Sequence, residues 1–396
     1  MKLALSWPTF WADAKAADIL NIAQSLGAKL KRQGREMVGA CPLGCARNDG
    51  FTVDVEKRIF LCRPSSASGD VIKMVEHVRG CSPTEAAEFL TGHSRPSGRH
   101  VETQIEREEA NLRRAKTAAL GAQRAATVAR LDAVKLTRDG EAVGSILERA
   151  APFAGSRGDD YLIERGAPLP RSMSRDLRIV DQLHYWGYAD HTTEDVTLIA
   201  VLPAMIGLIR SLEREIVGVH ITYLDPEGPR KWVAPWEVDL PKGLRRNPSK
   251  KLRKTVERLN GSMIRLGALG DTIVLGEGIE TVGAYRRLGY APEDAGYGVA
   301  MSLGNLSGGA VASSWRDPVK RTGSIPNGIS DPCKPGVLLP PHVRRVILLG
   351  DGDSDQLSTL AAIRTAAHRY EREGREVIIH LAPEGEDFAS MTGATA

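Results

Sequence analysis

The sequence predicts a multidomain chain that combines α/β and α+β architecture. Three observations lead to this. Residues 269–396 alternate β-prone and helix-prone segments, the pattern of a parallel sheet with helices on its faces. Residues 1–95 instead hold short β-prone runs around turns, flanked by helical patterns, together with most of the cysteines. At 396 residues the chain is also too long for one ordinary core. The expected layout is an N-terminal cysteine-bearing unit (1–95), a helical linker (96–145), a mixed α/β middle region (146–268) and a C-terminal parallel-sheet domain (269–396).

From Trp7 to about Leu30 the apolar spacing is helical, with Ile19, Ile22, Ala23 and Leu26 on one face and Gly27 as the stop. Glu36–Ala40, Gly50–Val55 and Arg58–Cys62 read as strands, and Val71–Arg79 as a helix packed on them. Pro83 opens a further helix, with Ser82 as N-cap and Glu85 reinforcing its first turn. His93–Gly98 is polar and contains proline and glycine, a hinge composition. Glu102 to about Val134 is rich in alanine, arginine and glutamate, which suits a long bridging helix.

Short helices are expected from Ile146 to Asp181, one of them over Asp159–Gly166. The period then changes to that of strands over Leu198–Ala204, Leu208–Leu212 and Glu215–Tyr223, with a turn at Asp225-Pro-Glu-Gly228. Ser262–Leu266 adds another. In the last region strands are expected at Thr272–Gly276, Gly298–Leu303, Arg345–Leu349 and Val377–Leu381, and helices at Glu280–Leu288 and Ser354–Glu373. A Pro-rich excursion, Asp317–Pro341, interrupts them.

Composition narrows the class. Hydrophobic residues make up 42% and charged residues 26%, as in a soluble globular protein. No apolar run approaches the roughly 20 residues a membrane-spanning helix needs. Trp7, Pro8, Asp13 and Asp18 interrupt any secretory signal, so cytoplasmic residence is expected. The formal net charge of +4 is small, but it is unevenly distributed. Lys242, Arg245, Arg246, Lys250, Lys251, Arg253, Lys254 and Arg258 are opposed within their stretch by Glu257 alone. That density suits either a solvated loop and helix face or contact with a phosphate backbone.

The chemistry concentrates in two places. Ile273-Val-Leu-Gly-Glu-Gly-Ile-Glu280 and Val346-Ile-Leu-Leu-Gly-Asp-Gly-Asp353 are apolar strands that end abruptly in glycine and acids. Ligands on parallel sheets lie at the carboxyl ends of strands. Glu277, Asp351 and Asp353 placed there cannot all stay ionised at neutral pH without divalent cations. An oxygen-only anionic set suits Mg²⁺ or Mn²⁺ bridging to substrate phosphates, and hence phosphoryl or nucleotidyl transfer. The second place is Cys41-Pro-Leu-Gly-Cys45, followed by Cys62 after two expected strands. Disulfides are not expected in a cytosolic chain. The spacing resembles a zinc ribbon, although zinc needs a fourth ligand.

Gly276-Glu-Gly-Ile-Glu-Thr281, Leu348-Leu-Gly-Asp-Gly-Asp353 and Gly385-Glu-Asp-Phe388 together resemble the Toprim domain shared by DnaG-type primases, topoisomerases and some nucleases. The resemblance covers roughly 271–396. It implies that Glu277 acts as a metal ligand or general acid/base, that Asp351 and Asp353 are paired metal ligands, and that Asp387 is a supporting acid. Two positions depart from the pattern. Thr281 stands where DnaG-type enzymes carry an aspartate, and Ala389 where another acid usually follows the third motif. The first metal site is thereby intact and the second in question.

Primase zinc modules usually place a cysteine three residues after the position of Cys62; here it is Ser65. His77 and Cys81 lie on or beyond the following helix and are not obvious replacements. Two readings stay open, a zinc-bound ribbon (Cys41, Cys45, Cys62) and a degenerate CHC2-like ribbon that folds without metal. Either form could meet single-stranded DNA through Lys57, Arg58, Arg63 and Phe60, with a buried structural use favoured for Phe60.

Taken together, ribbon, basic middle region and Toprim-like domain resemble phage- and plasmid-type DnaG primases. That resemblance implies a DNA-directed RNA polymerase making short primers on single-stranded DNA from NTPs. Lys231, Lys250, Lys251, Arg253 and Lys254 would contact template or triphosphate. No Gly-x-x-x-x-Gly-Lys-Ser/Thr motif occurs, so a replicative helicase would be a separate chain. The rivals are a Toprim-type metal-dependent nuclease and a catalytically inert DNA-binding replication accessory.

Overall fold

A computed structural model describes residues 7–33, 36–45, 50–65, 67–96, 104–190, 192, 195–237, 247–311, 313–316, 324–353 and 355–393. Lys242, Arg245 and Arg246 of the basic run lie outside the described residues, as does part of the Pro-rich excursion. Two compact units divide the chain, one running through Ala133 and the other beginning at Val134.

In the first unit α1 (Trp7–Ala16) and α2 (Ile19–Ser25) replace the single expected helix. The break comes at Asp18, whose side chain accepts the Asn21 N–H and so caps α2. Gly27 then takes a positive φ of 94°, as its stop role requires. A five-stranded antiparallel sheet follows in simple order: β1 (Leu30–Gln33), β2 (Glu36–Gly39), β3 (Phe51–Asp54), β4 (Ile59–Cys62) and β5 (Ala67–Gly69). Its outer strands, β1 and β5, carry no apolar alternation, which is why the sequence pattern does not reveal them. α3 (Val71–Arg79) starts from Asp70, whose carboxylate accepts the N–H groups of Ile72 and Lys73. α4 (Pro83–Thr91) carries the full capping box of Ser82 and Glu85. Phe10, Phe51, Phe60, Met74 and Val75 form the centre of this unit's core.

α5 (Gln104–Arg149) is longer than the linker pattern predicts, and its last turns bury Val143 and Ile146 in the second unit. β6 (Ala151–Pro152) and α6 (Arg157–Glu164) follow. Then come β7 (Leu177–Tyr188), β8 (Val196–Arg210), β9 (Ile216–Tyr223), β10 (Lys250–Lys254) and β11 (Met263–Leu266). β7 begins where short helices were expected, and β8 runs unbroken through the two strands expected from Leu198 to Leu212.

The parallel section consists of β12 (Thr272–Gly276), α7 (Ile279–Leu288), β13 (Gly296–Val299) and α8 (Leu303–Ser307), then β16 (Arg345–Gly350), α9 (Gln356–Arg372) and β17 (Glu376–Leu381). A separate ribbon pairs β14 (Ser313–Arg316) with β15 (Ser324–Pro326).

One sheet joins these strands in the order β10-β9-β8-β11-β13-β12-β16-β17, with β7 and β6 branching from β8. β11 makes the join, antiparallel to both β8 and β13, so the sheet is continuous across residue 268. β12 is parallel to both β13 and β16. All five residues of β12 are buried, as a central parallel strand covered on both faces must be. Alternation assigns its side chains: Val274 enters one core with Tyr285 and Phe388, whereas Ile273 and Leu275 enter another with Ile363 and Tyr370. β16 alternates in the same way, Ile347 and Leu349 to the first and Val346 and Leu348 to the second.

Candidate functional site

The register of β12 and β16, which pairs Leu275 with Leu348, brings their carboxyl ends out side by side. Strands so paired lie about 4.8 Å apart. Glu277 leaves β12 one residue before Gly278, the N-cap of α7. Asp351 leaves β16 at the adjacent tip. Gly352 is required here because a Cβ at that position would collide with the Pro383 carbonyl. The turn is clipped to the following loop by Gly352 N–H donating to Glu386 O at 2.8 Å and Gly385 N–H donating to Gly352 O at 2.9 Å.

The acids feel one another. Burial raises Asp351 to about 6, with Asp353, Asp387 and Glu277 adding to the effect and Thr281 opposing it. Thr281 Oγ1 donates to Asp351 Oδ2 at 3.0 Å, while Oδ1 is buried with no partner. Burial also raises Glu277, against Lys250 and the Leu303 N–H, with Asp353 contributing. Asp353 is exposed. Asp387 pairs with Arg165 at 3.4 Å and accepts the Ser390 N–H at 2.7 Å. Its carboxylate therefore acts on Asp351 through its field while holding partners of its own.

Behind this edge lies a charged cluster that the sequence reading did not assemble. Glu280, on the first turn of α7, accepts from Tyr161 Oη at 2.6 Å and pairs with Lys250 at 2.9 Å and Lys231 at 3.3 Å. Burial works against its charge, yet Lys250, Lys231 and Tyr161 hold the carboxyl well below the usual range. His220, from β9, is buried beside the same group. Burial first, then Lys250, pushes it down to about 4.

The basic run Lys250–Lys254 is an edge strand, not a loop or helix face, and this corrects its reading as one cluster. Successive residues of a strand point to opposite sides. Lys250 reaches Glu280, whereas Lys251 lies 3.6 Å above the Tyr185 ring and donates to Trp186 O. Burial, with help from Arg253, lowers Lys251 to about 8. Arg253 pairs with Asp139 at 2.7 Å and Lys254 donates to Glu257 O. Of the five basic residues singled out from the sequence, only Lys231 and Lys250 meet at the carboxylate edge. Ser302 caps α8, and Leu303–Ser307 is helix, ended by Gly308.

In the first unit the cysteines come together and gain a fourth member. Gly44, at φ 80°, lets its N–H return to Cys41 O at 2.8 Å, folding the turn that carries Cys45 back over Cys41. Cys45 Sγ lies 3.2 Å from both Cys41 Sγ and Cys62 Sγ. His77 Nε2 lies 3.4 Å from Cys41 Sγ and 3.5 Å from Cys45 Sγ. All four ligand atoms fall within 4.8 Å of one another. Zn–S bonds of about 2.3 Å place tetrahedral sulfurs roughly 3.8 Å apart, so this Cys3His set is close to the size zinc needs. Among the described residues it is the one cluster this tight.

His77, set aside on sequence, is thus the fourth donor. Ser65 Oγ instead donates to Cys62 O at 3.4 Å. The detectable signal was helical spacing: Val71, Met74 and Val75 turn to the ribbon, and position 77 follows Met74 by three residues. Burial keeps the His77 imidazole below its ordinary value, toward the neutral form that binds metals. Phe60 is buried, stacked on His77 at 5.8 Å. Lys57 pairs with Asp54 at 2.9 Å, and Arg58 donates to the carbonyls of Lys15 and Ala17.

Comparison with known proteins agrees with this cluster. Residues 12–107 match the CHC2 zinc finger family model, and residues 137–266 match a domain of unknown function, DUF7146. The DNA primase of Rickettsia prowazekii is 39% identical over 70 residues, which is 17% of this chain and 12% of that protein. The DNA primase of Geobacillus stearothermophilus is 33% identical over 82 residues, 21% of this chain and 14% of that protein. The chain thus spans a small fraction of the length of the curated relatives it matches. The Aquifex aeolicus primase structure (zinc binding and RNA polymerase domains) is 15% identical with a TM-score of 0.32, covering 97% of this chain and 82% of that one. The N-terminal unit is accordingly similar to a CHC2 zinc finger, with a donor set suited to zinc, in a chain that has DNA primases among its relatives.

Proposed function

We propose that the chain is a Toprim-containing, primase-like nucleotidyltransferase of the phage or plasmid kind, making short RNA on single-stranded DNA. The observation that carries the reading is that Glu277 and Asp351 leave adjacent parallel strands at one sheet edge and act on each other electrostatically, with a buried Asp351 oxygen lacking a partner. The primase relatives support it independently.

Glu277, Asp351 and Asp353 are the residues that would hold Mg²⁺ or Mn²⁺; their oxygen-only donor set fits those ions. Asp387 supports them through its field on Asp351. A bound cation would neutralise the triphosphate and the charge developing on it. The protein's own part is positioning. Thr281 fixes the Asp351 carboxylate, and Lys231 and Lys250 stand beside the edge to meet phosphate oxygens. A 3′-hydroxyl, or an initiating nucleotide, attacks the α-phosphorus, a new phosphodiester P–O bond forms, and pyrophosphate leaves. The zinc finger is proposed to engage the template strand, with Lys57 and Arg63 available at its surface. Where the family pattern has a second acid, Thr281 binds Asp351, which favours one fully built cation site.

The test is to incubate the protein with labelled NTPs, Mg²⁺ or Mn²⁺ and single-stranded DNA, and separately with supercoiled plasmid. Elongated RNA is the expected result. Nicked plasmid without RNA would replace this reading by the nuclease one. Neither product, together with no Mn²⁺ binding by calorimetry, would leave a DNA-binding accessory.

A further inference from the structure

A recess lies in the second unit, lined by none of the acids discussed above. Its volume is about 960 Å³, at the upper end of small-molecule sites. It opens between the segment leading into β7, the end of β8 with its following turn, and the end of β11. In the sheet order β11 and β13 stand between β8 and the acid-bearing β12, a lateral offset of about 14 Å at ~4.8 Å per strand.

The lining contains Arg171, Arg175, Arg178, Arg210, Arg214 and Arg265, against one carboxylate, Asp176. Asp176 is already engaged by Arg210 at 2.7 Å. Arg265 is only 6% exposed. Its NH2 group donates to the Ser211 and Leu212 carbonyls at 3.0 Å, yet its Nε has no partner. Burial and then the nearby Arg214 press against its charge, with Asp176 and, more weakly, Glu213 as counterweights. Guanidiniums gathered like this repel one another unless an anion sits among them. Their planar forks are the side chains best matched to phosphate oxygens. A different chemistry shares the lining: half-buried Met173 and Leu269 supply apolar surface. All six arginines fall inside the stretch that matches the domain of unknown function.

We infer that this recess binds a nucleotide carrying two or more phosphates, its phosphates on the arginines and its base against Met173 and Leu269, separately from the carboxylate edge. A buried guanidinium with a free Nε beside half-buried apolar surface suits a small phosphorylated ligand.

The experiment uses the full chain with zinc retained and no Mg²⁺ or Mn²⁺ added, so that the carboxylate site contributes little. A fluorescent nucleoside triphosphate is titrated into the wild type, into Asp351→Asn, and into an Arg175→Ala/Arg214→Asn double variant. Asparagine is chosen at 214 because that residue has a φ of 73°, which asparagine tolerates. Both arginines are exposed, and thermal melting confirms that the double variant folds. Saturable binding is expected in the wild type and in Asp351→Asn, at least tenfold weaker in the double variant, and displaced by unlabelled triphosphate and by inorganic tripolyphosphate but not by the nucleoside. The inference is overturned by absent binding in the wild type, by equal affinity in the double variant, or by loss of binding in Asp351→Asn. It is equally overturned if only a single-stranded oligonucleotide binds in an arginine-dependent way. Because no polymerisation is read, failure here leaves the primase reading intact.

Discussion

The thiol–imidazole cluster and the carboxylate edge are both sets of potential metal ligands, and they are built in opposite ways. Cys41, Cys45, Cys62 and His77 turn every donor inward, each within 4.8 Å of the others. Nothing is left over for a substrate, which is the design of a structural site. At the sheet edge Asp351 keeps a buried oxygen without a partner, and Asp353 reaches into solvent. A closed donor set serves folding, whereas an open one is held ready for chemistry at some cost to stability.

The sharpest way to break this contrast is to neutralise the open site. Asp351→Asn should leave the melting temperature unchanged or raised, because it removes a charge that burial disfavours. RNA synthesis should fall roughly a thousandfold or more, since a lost cation forfeits several kcal/mol of charge stabilisation at ~1.4 kcal/mol per decade. Primer yield and calorimetry on the same preparation decide it; a stable, fully active variant would end the catalytic assignment.

The closed site should respond in the reverse sense. Wild type should carry one zinc per chain by atomic absorption. His77→Ala should lower zinc affinity at least a hundredfold, about 3 kcal/mol as one share of the roughly 10–16 kcal/mol of a structural zinc, and should make the first unit melt early. Adding Ser65→Cys to that variant should restore binding, since Ser65 follows Cys62 closely enough to donate to its carbonyl. Zinc retained by His77→Ala without rescue would return the site to three cysteines.

The same contrast explains what the sequence disclosed. Strand tips were legible because β12 and β16 are buried on both faces, so unbroken apolar runs mark their extent and glycine marks the exit. Cys41, Cys45 and Cys62 were legible from spacing within one hairpin system. His77 was legible only from its helical spacing to Met74, and its approach to the thiols depends on how α3 is rotated on the sheet. Glu280, Tyr161, Lys231 and His220 come from four separate elements, and no local pattern joins them. The Lys250–Lys254 run misled for a simple reason: as an edge strand it alternates in direction but not in polarity, so its charges look like one patch.

A smaller effect is expected from the lysine cluster behind the edge. Glu280→Gln leaves Lys231 and Lys250 facing each other without their shared carboxylate, and breaking a buried pair typically costs about 3–5 kcal/mol, less here because both lysines are about one-third exposed. A loss of about 2 kcal/mol by denaturant titration is expected, with Tyr161→Phe costing about 1 kcal/mol. An unchanged midpoint for Glu280→Gln would mean that the cluster contributes no net stability.

The least perturbing test compares two histidines. His77 has thiols beside it; His220 is buried near Lys250, Lys231 and Glu280, and its Nδ1 has no partner. A folded-state value of about 4, below the ordinary 6.5, means that the unfolded chain binds a proton the native state refuses. Stability from neutral His220 is therefore whole above 6.5 and declines as pH falls toward 4, by about 1.4 kcal/mol per unit. Glu280, held low by its lysines, begins to lose its own contribution only below about 4.5. The window from pH 6.5 to 5 separates His220 from Glu280, but Asp351, raised to about 6, titrates there with the opposite sign, so the comparison is made in Asp351→Asn. Within it, unfolding of the second unit followed by tryptophan fluorescence should weaken by up to about 2 kcal/mol in Asp351→Asn and much less when His220→Gln is added. Equal slopes in the two proteins would place the acid sensitivity at the zinc ligands instead, since protons compete for thiolates and imidazole in the same range.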